Sequence, residues 1–247
     1  MATFKTKDGR NIQFKVYKRD PYDSLAKSPD TKSQSYELPR IEAYVDGDVA
    51  GYIRACWIPK ATWDRNFPTV WDYRKHFGGA YRFDTYLKTR DPDDLYRAIQ
   101  DWRGRGDAFE VPPPKERDKF LRSFTKGYDT EYLKYKDHIV DKPFVDYIRV
   151  FDYTGEWGDP ILPGMALPLK NWKRNHIALA LYKYTAQWLA KQGLPLYASG
   201  TQAPEAAAAW KRLRSTRKLK EDGKRIFLDY RKAALRVAKR YMESLSG

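Results

Sequence analysis

The clearest hydrophobic pattern lies in residues 171–213, where apolar positions change from helical to strand spacing and back. Four apolar residues at helical spacing predict one buried helix face: Ile177, Leu181, Tyr184 and Trp188. Gly193 ends this helix, and the apolar run 194–199 predicts a short strand. Pro204 then opens a second helix that continues through Trp210. The stretch therefore predicts a helix, a strand and another helix in close succession.

Alternating polar and apolar residues predict strands in other parts of the chain. Three pairs of alternating runs enclose an Asp-Gly turn, which favours a tight hairpin, in residues 3–18, 41–58 and 217–229. A further strand is predicted at residues 144–150. Together these elements predict a mixed, mostly antiparallel sheet flanked by helices, in the α/β (α+β) class.

Helical spacing dominates the two remaining parts of the chain. Residues 59–143 are rich in aromatic side chains and show helical periodicity from residue 91 onward, which predicts a large helical insertion. Residues 216–247 are predicted to hold the last hairpin and a basic helix. Because 42% of the residues are hydrophobic, we expect a folded chain, with one domain over residues 1–247.

The chain is strongly basic, with 47 Lys and Arg residues against 32 Asp and Glu residues and a formal net charge of +15. Residues 211–240 alone contain 13 basic and 3 acidic residues. Such a surface is typical of proteins that contact DNA or RNA, because neutralised phosphates release counterions. Solubility, or attraction of another polyanionic ligand, would explain the same charge.

The last helix is amphipathic, and its function is open between two alternatives. Its predicted apolar face consists of Leu235, Ala238, Met242 and Leu245, and a basic flank runs beside it: Arg231, Lys232, Arg236, Lys239 and Arg240. The helix either packs on the sheet through the apolar face or clamps a phosphate backbone through the basic flank.

The sequence shows no signal-peptide pattern and no apolar run near the roughly 20 residues that span a bilayer. We therefore expect a cytoplasmic protein with no membrane partner. The single cysteine, Cys56, excludes an intramolecular disulfide, and the three scattered histidines lack metal-ligand spacing. No metal cofactor is expected.

Residues 173–178, KRNHIA, place two cations at the start of the first predicted helix. The first amide groups of a helix have no intrahelical acceptor, and this end of the helix carries about half a positive charge. A pyrophosphate can bind at such a helix end, and Lys173 and Arg174 would add to the attraction. The alternative is an ordinary basic helix start that binds no ligand.

Three segments in this order resemble the coenzyme-A-binding half of the GNAT (N-acetyltransferase) superfamily, in its phage-type branch. Residues 173–178 are similar to the family's Gln/Arg-x-x-Gly-x-Gly/Ala loop, 193–199 to its fifth strand, and 203–210 to its Asn-x-x-Ala-x-x-x-Tyr helix start. The resemblance implies that 144–150 is the fourth strand, parallel to the fifth and diverging from it at one end. It implies a coenzyme A site formed by Ile148, Val150, Lys173, Arg174, Asn175, His176, Ile177 and Ala178.

The resemblance also implies an N-acyltransferase that uses acetyl-CoA as co-substrate. In the family an amine attacks the thioester directly through a tetrahedral intermediate, and a backbone N–H of the fourth strand holds the oxyanion. Asp146 is the first candidate for the base, and Tyr147 beside it is the second candidate catalytic residue. Strand alternation would put these two side chains on opposite faces, and Asp146 would otherwise face solvent or form an ion pair. Glu42 and Tyr197 are further candidates.

Two positions depart from the family pattern. His176 stands where a glycine lets the backbone approach the phosphates, so its Cβ narrows the site. Trp210 replaces a tyrosine that protonates the leaving thiolate in many members, and an indole is no proton donor at neutral pH. The alternatives are therefore a GNAT-like enzyme that modifies nucleic acid, and a non-catalytic GNAT-fold protein that binds nucleic acid or a host protein. The acceptor amine is not identified by the sequence.

Overall fold

The computed structural model describes residues 3–19, 21, 36–70, 72, 85–86, 88–103, 113–151, 171–200, 202, 204–214, 218–223 and 225–245. The chain divides into two compact units. The first contains Met1–Ile58 and Asp141–Gly247, and the second contains Pro59–Val140. The second unit covers nearly the same residues as the predicted helical insertion, of which 71, 73–84, 87 and 104–112 lie outside the described residues.

The first unit is built on a single sheet. Its strands are β1 (Phe4–Lys5), β2 (Asn11–Tyr17), β3 (Arg40–Val45), β4 (Asp48–Cys56), β5 (Phe144–Val150), β6 (Leu196–Tyr197), β7 (Leu219–Asp222) and β8 (Arg225–Leu228). Their order across the eight-stranded sheet is β1-β2-β3-β4-β5-β6-β8-β7. Neighbouring strands are antiparallel except β5 and β6, which run parallel. The predicted mixed, mostly antiparallel sheet is confirmed.

The three predicted hairpins form at the Asp-Gly pairs. Gly9, Gly47 and Gly223 have positive φ angles of 87°, 89° and 59°, which glycine adopts without a steric clash. The turns connect β1 with β2, β3 with β4, and β7 with β8. Local turn chemistry therefore sets the register of six of the eight strands.

The helices with both ends among the described residues are α1 (Lys60–Asn66), α2 (Pro92–Arg103), α3 (Pro114–Ile139), α4 (Ile177–Ala190), α5 (Pro204–Leu213) and α6 (Arg231–Leu245). Helices α1 to α3 belong to the second unit, and α4 to α6 to the first. In the part of the chain that the structure describes, no helix combines the length and the hydropathy that crossing a membrane requires.

Helix α4 contacts β3, β4 and β5 and supplies much of the core of the first unit. Its buried side chains recur at helical spacing and include Ile177, Leu181 and Leu189. Tyr184 stacks on Phe14 of β2, with ring centroids 4.1 Å apart. The apolar periodicity of the sequence therefore corresponds to the face of α4 that covers the sheet.

Strand β6 is shorter than the predicted run 194–199. It pairs with β5 through one residue, Tyr197, and with β8 through Leu196 and Tyr197. The N–H of Ala198 still donates to the carbonyl of Ile226 at 2.9 Å. In the described part of the chain, Tyr197 is therefore the one residue of β6 that pairs with strands on both sides, and the strand is two residues long.

The apolar face predicted for α6 does not pack on the sheet. Leu235 and Met242 are 69% and 65% exposed, whereas Ala233 and Ala234 in the first turns are half-buried. The alternative in which this face covers the sheet is therefore wrong beyond the first turns of the helix.

The second unit has an aromatic core. Trp63 of α1 is buried, and its indole N–H donates to the hydroxyl of Tyr132 on α3 at 3.2 Å. The ring of Phe67 packs edge-on against Trp63, with centroids 5.0 Å apart. These aromatic residues therefore pack with one another inside the unit, so they are not exposed for stacking on bases.

Candidate functional site

The parallel strands β5 and β6 separate after a single residue pair. Phe144 pairs with Tyr197, whose N–H donates to the carbonyl of Pro143 at 2.7 Å. Strand β5 continues to Val150, while β6 ends at Tyr197. Among the described residues no strand pairs with this edge of β5 beyond Phe144. In the described part of the chain, pairing between the two parallel strands is therefore confined to one end of β5, and we call the region between β5 and β6 beyond that pair the gap.

The turn before α4 lies at the far end of this gap. The N–H of Trp172 donates to the carbonyl of Phe151, directly after β5, at 2.9 Å. The backbone of Arg174 and His176 then takes left-handed φ angles of 63° and 66°. Asn171 stabilises the turn, because its Oδ1 accepts the N–H of Lys173 at 2.9 Å. The turn residues predicted from the sequence and the open edge of β5 are thus connected directly.

The electrostatics of this turn favour an anion. Lys173, Arg174 and His176 are exposed, and His176 precedes α4 without forming a side-chain cap. The first amides of α4 consequently point out of the helix beside two cationic side chains. Trp172 anchors the turn in the core, with 1% of its surface exposed, and the Arg10 guanidinium lies 4.8 Å from its ring centroid.

A bulge in β5 overturns the expectation that Asp146 and Tyr147 point to opposite faces. Arg54 of β4 pairs with Tyr147, and the next residue of β4, Ala55, pairs with Val145, so Asp146 is an extra residue. The carboxylate of Asp146 lies 2.5 Å from Nε of Arg54, which is on the same strand face as Tyr147. Because one residue is inserted, both candidate catalytic side chains reach the same face of the sheet.

Aromatic and basic side chains surround these two residues. Tyr147 is 40% exposed, and its ring centroid lies 5.7 Å from that of Tyr52 on β4. Burial raises the pKa of Tyr52. Arg149 places its guanidinium 5.3 Å from the ring centroid of Phe151. Tyr52, Arg54 and Arg149 were not predicted as site residues, although polar residues at alternate positions of an apolar strand signal one shared face.

The other two candidate bases have structural partners. The Oε1 atom of Glu42 accepts Nε of Arg40 at 2.9 Å, and Oε2 accepts the Tyr44 hydroxyl at 2.6 Å, with Arg40 and Glu42 both 1% exposed. Tyr197 is buried beside Phe227, and burial raises its pKa. Tyr197 therefore lies in the core. Glu42 pairs with Tyr52 across β3 and β4, so it lies on the same face of the sheet as Tyr147, but it is buried and held by its two partners.

The predicted binding residues along β5 sit close to β4. Ile148 and Val150 pair with Ile53 and Gly51. A Cβ on Gly51 would meet the carbonyl oxygen of Arg149 at 2.5 Å, so glycine allows the two strands to approach this closely. In the turn, Ile177 is buried, while Asn175 and Ala178 are half-buried.

Trp210 belongs to the core. It is 2% exposed, and its ring centroid lies 5.1 Å from that of Tyr182 on α4. Burial raises the pKa of Tyr182 to about 12, and a hydrogen bond from Trp210 partly opposes the shift. The position that the family resemblance links to a proton donor is thus filled by a packed indole.

The remaining reactive groups do not extend the site. Burial, followed by the charge of Asp146, raises the pKa of the Cys56 thiol to about 12, so it stays protonated at neutral pH. Among the described residues, no group of three or more His, Cys, Asp or Glu side chains is arranged to hold a metal ion.

Searches of protein-family models, curated proteins and solved structures find no match to this chain. The fold and the site are therefore characterised by their own geometry: a mixed sheet that opens between two parallel strands, with a basic, left-handed turn at the end of the gap.

Proposed function

We propose that this protein is an acyl-CoA-dependent N-acyltransferase of the GNAT type, which transfers an acyl group, normally acetyl, to an amine. The observation that carries the proposal is the parallel pair β5–β6, which is joined at Phe144 and Tyr197 and open beyond. An extended ligand can bind by backbone hydrogen bonds to a strand edge, and beyond Phe144 no described strand pairs with this edge of β5. The edge leads to the basic turn before α4, where an anion can bind.

The residues around the gap fit coenzyme A. The backbone of Ile148 and Val150 would hydrogen-bond the extended pantetheine arm, which carries amide groups. Lys173, Arg174 and the first amides of α4 would hold the pyrophosphate. The φ angle of 66° at His176 is a conformation that favours glycine, as the family's loop motif has at this position.

Coenzyme A, when bound, supplies the acyl group as an activated thioester. The chain's own residues would position the acceptor amine and accept its proton. Asp146 and Tyr147 of β5 lie on one face of the sheet, and the Arg54 guanidinium holds the Asp146 carboxylate at 2.5 Å. For Asp146 to accept a proton, the ion pair must open, and both side chains are about one-third exposed, which makes this motion feasible.

The burial of Trp210 favours a second candidate, a non-catalytic protein that uses the same gap to bind coenzyme A or a macromolecule. A packed indole provides no proton to a leaving thiolate. Under this hypothesis the basic residues 211–240 would carry the function by binding nucleic acid or a host protein.

Calorimetric titration with coenzyme A tests the binding part of the proposal. The native protein should bind, His176→Gly should bind more tightly because the Cβ is removed, and Ala178→Asp should not bind, because its carboxylate repels the phosphates. Weaker binding by His176→Gly would show that His176 is itself a phosphate ligand. Absence of binding in all three proteins would refute the proposal.

Thiol release from acetyl-CoA in the presence of a panel of amines tests the catalytic part. We expect turnover by the native protein and loss of most of it in Asp146→Asn, while coenzyme A affinity stays unchanged. Tight coenzyme A binding without turnover on small amines, peptides or polynucleotides would favour the non-catalytic candidate.

A further inference from the structure

Helix α6 exposes large apolar side chains along its length. Every residue from 235 to 244 is exposed. Leu235, Val237, Tyr241 and Met242 are between 63% and 69% exposed. An isolated helix of this length is marginal in water, so packing normally stabilises one. A contiguous exposed apolar surface of this kind usually marks a site of interaction.

The exposed side chains are segregated by chemistry. At about 100° per residue, Val237, Tyr241, Ala238, Met242 and Leu235 follow one another around one side of the helix. The opposite side carries Lys232, Arg236, Lys239 and Arg240. The helix has five basic residues and one acidic residue, Glu243, whose carboxylate lies 3.7 Å from the Lys239 ammonium. The surface is therefore amphipathic and positively charged.

The base of α6 is fixed to the fold. Tyr230, immediately before the helix, packs against the core, and Asp229 accepts the N–H of Arg231 at 3.1 Å. The Asp229 carboxylate, whose side chain is 5% exposed, also forms ion pairs with Lys220 and Arg231 at 2.7 and 2.9 Å. The first turn of α6 is therefore anchored, and the amphipathic segment that follows it is exposed.

We propose that α6 docks on an anionic lipid surface, with its apolar side at the boundary of headgroups and acyl chains. Charge complementarity favours an anionic lipid partner, because the helix and the chain as a whole are strongly basic. Lys239 and Arg240 lie at the two margins of the apolar side. Their long aliphatic side chains allow the charged groups to reach the lipid headgroups. The helix would lie in the interface without crossing the bilayer. The expectation of no membrane partner rested on the lack of a spanning segment, which binding of this kind does not need.

Two other occupants fit the surface less well. A nucleic acid would contact the basic side and leave Leu235 and Met242 in water. A second copy of the chain would pair the apolar sides, where Leu235, Ala238 and Met242 have heptad spacing, but it would also bring Lys232 and Lys239 of both helices to the same seam. Like charges there oppose association, and they favour an anionic partner.

Flotation of the full-length protein with two kinds of vesicle tests the proposal. Vesicles of phosphatidylcholine mixed with phosphatidylglycerol should bind the protein, and those of pure phosphatidylcholine should bind it much more weakly. Arg236→Gln with Lys239→Gln should weaken binding about 30-fold, from about five-fold for each charge near an anionic surface. Leu235→Gln with Met242→Gln should weaken it more than about ten-fold, because two buried apolar side chains are lost. Glutamine keeps the helix propensity in both variants.

Lys119→Gln with Lys134→Gln is the matched control, because it removes two exposed charges from another helix, α3. It should bind the mixed vesicles nearly as the native protein does. Equal loss in this control would overturn the assignment to α6. Unchanged binding by Leu235→Gln with Met242→Gln would overturn the apolar insertion. The proposal is also overturned if vesicles do not bind and duplex DNA does, or if sedimentation shows a dimer that this apolar variant abolishes.

Discussion

The buried ion pair between Arg40 and Glu42 yields a quantitative prediction about stability. Both side chains are 1% exposed, and the Arg40 guanidinium also lies 3.5 Å from the ring centroid of Tyr52. Replacing Arg40 with Met keeps most of the volume of the side chain and removes the charge. It leaves the Glu42 carboxylate buried without its ion-pair partner.

Breaking one side of a buried pair typically costs about 3–5 kcal/mol, because the remaining charge is desolvated and uncompensated. We therefore expect Arg40→Met to lower the free energy of unfolding by about 4 kcal/mol. A triple variant, Arg40→Met with Glu42→Leu and Tyr44→Phe, removes both charges of the ion pair and the hydroxyl that donates to Glu42. It should recover at least about 2 kcal/mol of that loss, since apolar replacements of buried ion pairs are often neutral or stabilising.

Urea denaturation followed by circular dichroism measures these differences. The control is Arg54→Met, which breaks the Arg54–Asp146 pair, whose side chains are 28% and 32% exposed, and should cost less than about 1 kcal/mol. The reasoning would be refuted if Arg40→Met lowered the free energy of unfolding by less than about 1 kcal/mol, or if the triple variant were less stable than the single one. Either result would mean that desolvation of the unpaired Glu42 charge does not dominate the loss of stability.

Three further changes have expected outcomes. His176→Gly should stabilise the protein by about 1 kcal/mol, because it relieves a φ of 66°, whereas Lys191→Gly, at a φ of −66°, should destabilise it in thermal melts. Gly51→Ala should destabilise the sheet by about 1–3 kcal/mol in urea titration and move β5, because its Cβ would meet the Arg149 carbonyl oxygen. The hydrogen bond from Arg231 holds the pKa of Asp229 below its usual range. The Asp229 carboxylate therefore stabilises the fold above about pH 4, and this stabilisation is lost as the pH falls further. Asp229→Asn should therefore be less stable at pH 7 and show a flatter acid dependence in pH-dependent melts.

The elements predicted best are those specified by local sequence. An Asp-Gly pair demands a positive φ at the glycine, so each hairpin could be located from a few residues. Helix α4 was predictable because its buried face repeats at 3.6 residues. The exposure of α6 was not predictable, because an amphipathic sequence specifies which side is apolar and leaves open what covers it.

The site was predictable in its parts more than in its arrangement. The basic turn at 173–178 is visible in the sequence, but its position after β5 depends on the hydrogen bond between Trp172 and Phe151, which joins residues 21 positions apart. Alternation failed at Asp146 because a bulge inserts one residue, and no local pattern marks it. Trp210 was noted only as a departure from the family pattern, and its burial in the core was not predicted from the sequence.

The single Phe144–Tyr197 pair also has a mechanical consequence. It connects strands β1 to β5 with β6, β7 and β8, so the two parts of the sheet meet through very little backbone pairing. Helix α4, which contacts strands of both parts, then determines how wide the gap stands. Ala180 and Ala186 on its buried face are small, so larger side chains there would push α4 away from the sheet and change the separation of the two parts.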